Sequence, residues 1–284
     1  MMNRTLWLVP ALLTLPGLSV AEGTSPWLPI PGETLVSINY TQQEGDDAYI
    51  GDDELAASAI TGGAASSFER NDTALLINYG ISDNLALDAL IGYGEVEAGS
   101  ADRDSGFTDS TIGVSWRVMD EFATANNVPT ITLRGAAIIK GDYEGDRLAA
   151  LGKAENGFQA SALVGKQVGL NWGVSAELGY EYRSGDVPEA SFVHLSAQYN
   201  PTSALGLSLG YSNKRYGGDL DIGGPGFTPE RFQEVNEERE LVKFSLNYAV
   251  GPSQGIAFTL ATLTDGRNTV ADDEIAGLTY THAF

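Results

Sequence analysis

From residue 34 to its end, the chain alternates apolar and polar residues with a period of two. No stretch in that length reaches the ~20 consecutive apolar residues that a spanning helix needs. Period two belongs to strands, whose successive side chains point to opposite faces. The clearest segment is 172–183. Trp172, Val174, Ala176, Leu178, Tyr180 and Tyr182 share one face, and Ser175, Glu177, Gly179, Glu181 and Arg183 share the other. Aromatics stand at both ends of the apolar face, where tryptophan and tyrosine meet the two membrane–water interfaces. The pattern repeats at 84–97, 108–119, 129–141, 204–216 and 240–250.

A soluble sandwich also alternates, but its outer face is richly charged. Here the second face is glycine, serine, threonine and a few charges of both signs, which suits the lumen of a barrel. Only 43% of the residues are hydrophobic, too few for a helical membrane protein, while 34 glycines and 12 tyrosines favour strands and turns. The connections alternate in length. Short ones fall at 82–84, 169–171, 201–203 and 251–254, with a longer one near 120–128. Long acidic ones fall at 44–69, 98–107, 142–154, 185–189, 217–238 and 266–273. This predicts an all-β, transmembrane, antiparallel up-and-down barrel of about 12 strands in the outer membrane, with short turns and both termini in the periplasm. The first strand is expected near 34–43 and the second near 72–81.

The start of the chain carries an export pattern. Arg4 precedes an apolar run from Leu6 to Val20, broken by Pro10 and Pro16, and Ser19 and Ala21 supply the small residues of a cleavage site. The expected organisation is a signal peptide at 1–21, a periplasmic leader at 22–33 and a barrel at 34–284. With no cysteine, the chain has no disulfide, thiolate metal site or cysteine-linked lipid. Its formal charge of −22 would repel nucleic acid.

The chain stops at Leu278-Thr279-Tyr280-Thr281-His282-Ala283-Phe284. Leu278, Tyr280, His282 and Phe284 share a face. This resembles the terminal strand of bacterial outer-membrane proteins, and the resemblance implies recognition by the barrel-assembly machinery and insertion beside lipopolysaccharide. Trp27-Leu28-Pro29-Ile30-Pro31-Gly32-Glu33, followed by Val36-Ser37-Ile38-Asn39-Tyr40, resembles the opening of transporter-like outer-membrane barrels grouped near aromatic-degradation proteins. That likeness covers ~20 residues and implies passive uptake of small molecules. A proline-stiffened leader entering the barrel accounts for the same residues.

Candidate chemistry is sparse. His194-Leu195-Ser196 resembles the H-x-S element of outer-membrane phospholipase A and lipid A deacylases, in which histidine is base and serine nucleophile. Those pairs face lipid, whereas alternation turns His194 and Ser196 into the lumen, and Ala197 stands where the families commonly carry asparagine. Asp88, Arg117, Arg134, Lys140, Glu177, Glu181, Arg183, His194 and Lys243 should all point inward. They either pair across the interior or set the selectivity of a narrow pore. The acidic loops form a solvated rim or attract cations, without the ordered spacing of a calcium loop. The loop 217–238 is long enough to constrict or cap the barrel. The sequence therefore predicts a passive channel for small solutes without a cofactor. The alternatives are an acyl hydrolase using His194 and Ser196, and an adhesive barrel acting through its loops.

Overall fold

The computed structural model describes residues 25–100, 102–123, 128–147 and 150–284. The expected export signal at 1–21 lies outside them. Strand β1 (Thr34–Gly45) leads to β2 (Asp47–Ile50), β3 (Asp53–Ala56) and one helical turn, α1 (Ala57–Ile60). Then come β4 (Phe68–Ser82), β5 (Leu85–Ala98), β6 (Asp102–Phe107), β7 (Ser110–Met119), β8 (Thr130–Ile139), β9 (Gly157–Val168) and β10 (Trp172–Arg183). The chain finishes with β11 (Ala190–Tyr199), β12 (Leu205–Tyr216), β13 (Glu238–Gly251), β14 (Gln254–Arg267), β15 (Val270–Ala271) and β16 (Glu274–Ala283).

All the long strands join one antiparallel sheet in chain order. Strands β6 and β7 pair with successive stretches of β5, so together they fill one place in the wall. Thr108 and Asp109 interrupt them, and both are buried. The sheet closes where β1 pairs with β16, from Leu35 opposite Ala283 to Glu44 opposite Glu274. The result is a closed 12-stranded barrel with no free edge in the wall. The first two wall strands begin and end close to the expected places.

Alternation sorts the residues as the sequence predicted. On β10, Trp172, Val174, Leu178, Tyr180 and Tyr182 are exposed, whereas Glu177, Glu181 and Arg183 are buried. Exposed apolar residues continue around the wall, for example Ile112, Val114, Leu209, Phe244, Leu246, Phe258 and Leu278. An exterior that is apolar and an interior that is polar define a transmembrane barrel of the outer-membrane type. Inward glycines make room for large neighbours. A side chain at Gly113 would sit 2.6 Å from the Asp88 carboxylate, and one at Gly210 would sit 2.7 Å from the Lys243 stem.

Both ends are narrowed. At the short-turn end, residues 25–28 turn inward. Pro26 is fully buried, and its carbonyl accepts a hydrogen bond from Thr132 Oγ1 at 2.7 Å. Trp27 Nε1 donates to Glu121 at 2.9 Å. At the long-loop end, β15, β2 and β3 make a small second sheet that the alternation did not foretell. It covers an apolar cluster of Ala48, Ala57, Ala65, Phe68 and Ala98. A test of the lipid-facing assignment is Leu178→Arg, at a side that is 63% exposed. A charge at the bilayer midplane should cost about 2–4 kcal/mol, measured by unfolding in lipid. A change below about 0.5 kcal/mol, normal for a water-facing position, would contradict it.

Candidate functional site: the charged lumen and its inward loop

Most of the polar residues expected in the lumen are there. Asp88, Arg134, Glu177, Glu181, Arg183 and His194 are buried on the inner face, and Lys243 is half-buried on the same face. Arg117 lies at the short-turn end of β7, where it pairs with Asp120 at 3.3 Å and donates to the Asp83 carbonyl. Lys140 is exposed. Its strand ends at Ile139, so the ladder no longer fixes its direction, and its backbone N–H donates to Asn156 Oδ1 at 3.0 Å.

The lumen charges meet in two groups. Arg134 donates two hydrogen bonds to Asp88, at 3.0 and 2.6 Å, and a third to Gln159 at 2.7 Å. A planar guanidinium suits this bidentate geometry. Nearer the long loops, Glu181 accepts from Arg183 at 2.6 Å and from Lys214 at 3.0 Å. Arg183 also pairs with Asp109, which accepts a hydrogen bond from Tyr143 Oη at 2.5 Å. Burial and the Asp109 charge hold the Tyr143 phenol well above its usual range, so it remains a donor.

Between β8 and β9, residues 141–147 and 150–156 fold into the mouth of the barrel. Leu151 is buried in the space left by Gly94. Arg70 on the β4 wall donates to the Ala150 and Leu151 carbonyls at 3.4 and 3.3 Å. Lys153 pairs with Glu237 at 2.7 Å and lies 4.5 Å from the centre of the Tyr216 ring. Burial alone would raise the Glu237 carboxyl, but Lys153 and Arg239 outweigh it and hold it below the usual glutamate range. Charge-assisted bonds thus tie this segment to β4 and to the chain just before β13.

The loop 217–237 completes the cap and contributes Phe232 and Val235 to the cavity beneath. It is held through Asn268, a buried residue in the left-handed region at φ 48°. The Asn268 amide donates to Asp221 and to the Asn236 carbonyl, and its oxygen accepts from the Gly51 and Ile222 N–H groups. All four hydrogen-bonding positions of that side chain are filled. Much of the acidic rim is also engaged: Asp52 and Asp221 pair with Arg267, Asp102 with Arg147, and Glu238 with Arg215.

Several functional contacts have no forerunner in the sequence. Lys214 shares the inner parity of Ser208 and Ser212, so alternation could have found it. Asp109 sits in a strand break and Lys153 in a loop, where no periodicity applies. Register places Glu177, His194 and Ser212 opposite one another on β10, β11 and β12. The row has the residue types of a hydrolytic triad, yet Ser212 Oγ makes no hydrogen bond, so no base engages that hydroxyl. Ser196 is exposed although it points inward, which leaves it open to water inside the barrel.

The fold is similar to that of the COG4313 outer membrane channel from Pseudomonas putida F1. That likeness has a TM-score of 0.72 and 17% identity, covering 93% of this chain and 100% of the other. The NanC porin is more distant, with a TM-score of 0.52 and 8% identity over 87% of this chain and 98% of its own. No curated protein matches the sequence significantly. Residues 65–276, about three quarters of the chain, match a family described as "Putative MetA-pathway of phenol degradation". The chain belongs to that family.

Proposed function

We propose that this protein is an outer-membrane channel through which small solutes pass passively along a narrow, charged lumen. The observation that carries the reading is the contrast between the two faces of one strand. On β11, Leu195 faces the apolar exterior, while the neighbouring Ser196 faces inward and is accessible to water. A barrel built only as a plug would bury that inner serine. The similar structures are described as an outer membrane channel and a porin, which supports the same reading.

In this reading the short turns and the leader face the periplasm, and the long acidic loops face outward beside lipopolysaccharide. Leu278, Tyr280 and Phe284 serve as the assembly signal. Asp88, Arg134, Glu177, His194 and Lys243 line the middle of the path. Glu181 and Arg183 stand at its outer end, Arg117 stands at the periplasmic mouth, and Lys140 plays no part in selection. The protein is not an enzyme in this account. His194 and Ser196 face water in the lumen rather than lipid, and the Ser212 hydroxyl lacks a base. No energy source is needed, because diffusion suffices.

The inward loop sets the size of the path. In planar bilayers the protein should give small, discrete conductance steps. Lys153→Ala removes the tie to Glu237 and the contact with Tyr216, and should raise the conductance or the open fraction. Arg70→Ala, which frees the loop from β4, should act in the same direction. A folded barrel that stays electrically silent in all three forms would overturn the channel reading. Conductance unchanged by either substitution would overturn the role of the loop.

A further inference from the structure

Closure removes every edge from the barrel wall, but the small outer sheet keeps one. Its order is β15–β2–β3, so β3 is paired on one side only. All four residues of β3, Asp53–Ala56, are exposed. The hairpin is tight: Ile50 stands opposite Asp53, and Gly51, at φ 61°, makes the turn with Asp52. The Ala57 N–H donates to the Asp46 carbonyl at 2.8 Å, so the main chain of Ala57 faces β2. Successive residues of a paired strand direct their main-chain groups to opposite sides. Leu55 and Asp53 therefore face β2. The N–H and C=O of Glu54 and the N–H of Ala56 point away from the sheet. Among the described residues, no main-chain group beyond the hairpin bonds to them.

An open row of donors and acceptors is a template for an added strand. Proteins blunt such edges by shortness and by charge, and here the charge has a single sign. Residues 44–56 hold six acids, Glu44, Asp46, Asp47, Asp52, Asp53 and Glu54, and no Lys or Arg. Asp52 pairs with Arg267, whereas Asp47, Asp53 and Glu54 make no ion pair among the described residues. Tyr49 stands opposite Glu54 and shares its face of the sheet. Burial, and then the charges of Glu54, Asp265, Asp273 and Asp47, hold the Tyr49 phenol above its usual range. Such an edge repels strands of an acidic chain, including copies of this one with its net charge of −22. The same charge attracts a basic strand.

We propose that the free edge of β3 docks an extended cationic peptide segment, which adds to the small sheet as a fourth strand. Main-chain bonds to Glu54 and Ala56 hold the segment, and its side chains decide which segments fit. A Lys or Arg on one face of the added strand lies beside Glu54. An apolar residue on the other face lies beside Leu55, which is 43% exposed. Successive side chains of a strand alternate between faces, so the preferred segment alternates basic and apolar residues. The site lies among the long loops, and in the orientation proposed above it meets such a segment outside the cell. It does not depend on conduction through the barrel.

The test uses the full barrel in nanodiscs of zwitterionic lipid, with empty nanodiscs as the blank. The probe is a fluorescein-labelled heptapeptide of alternating lysine and valine, followed by anisotropy. A second peptide, N-methylated at its internal lysines, keeps the charge and side chains but loses the donors that would face β3. It should bind roughly tenfold more weakly than the first, about the worth of one to two main-chain hydrogen bonds. The backbone of Ala56, at φ −58° and ψ 138°, already suits proline, so Ala56→Pro deletes an outward donor and leaves the fold in place. That variant should weaken the unmethylated peptide roughly fivefold, with an unchanged melting temperature. Glu54→Gln should weaken it at low salt and less so at high salt. No binding, equal binding of the two peptides, or full binding by a folded Ala56→Pro barrel would overturn the proposal. The comparison of peptides uses the natural chain, so it decides the matter even if a variant fails to fold. Barrels that instead pair with each other, and separate on Ala56→Pro, would put a second copy on the edge and overturn the choice of partner.

Discussion

Lipid offers no hydrogen bonds to a backbone. Every N–H and C=O group within it must be paired by the protein itself, at a cost of several kcal/mol for each one left open. The pairing of β1 with β16 meets that demand by closing the ladder on itself. Once the sheet is closed, each strand has one face toward lipid and one toward the lumen. The period of two in the sequence, the apolar belt and the polar interior all follow from that closure.

Closure also sets a problem inside. Charges that point into a narrow lumen must find partners or water. Here they find partners. Arg134 with Asp88, and Lys214 with Glu181, bring opposite charges together across an intervening strand, and Arg183 meets Glu181 along β10. Glycine opposite Asp88 and beside Lys243 provides the space in which those side chains lie. Residues 141–147 and 150–156 use the same chemistry at the mouth, tied to their surroundings through Arg70, Lys153 and Tyr143. The ties that hold the loop in place also narrow the mouth of the barrel.

The barrel was largely legible in the sequence, because a strand in a membrane wall obeys one rule along its whole length. The strand count, the closure and the direction of Glu177, Glu181, Arg183 and His194 all follow from parity. Parity stops where the ladder stops, as Lys140 shows by lying one residue past β8. The same limit hides Asp109 in the break between β6 and β7, and Lys153 and Asn268 among the loops. The sheet of β2, β3 and β15 was hidden because its strands are two to four residues long. Loop 217–238 does help cap the barrel, but the segment that enters the mouth from the β8–β9 connection was not foreseen.

The central claim is that adjacent residues of one strand face lipid and water in turn. The natural absence of cysteine makes it directly measurable, since any introduced thiol is the only one present. Single cysteines at Leu195 and Ser196, in protein embedded in lipid bilayers, are exposed to a charged, membrane-impermeant thiol reagent. The account predicts that Ser196→Cys reacts and Leu195→Cys does not. Reaction at Leu195→Cys with protection at Ser196→Cys, or equal reaction at both, would contradict it.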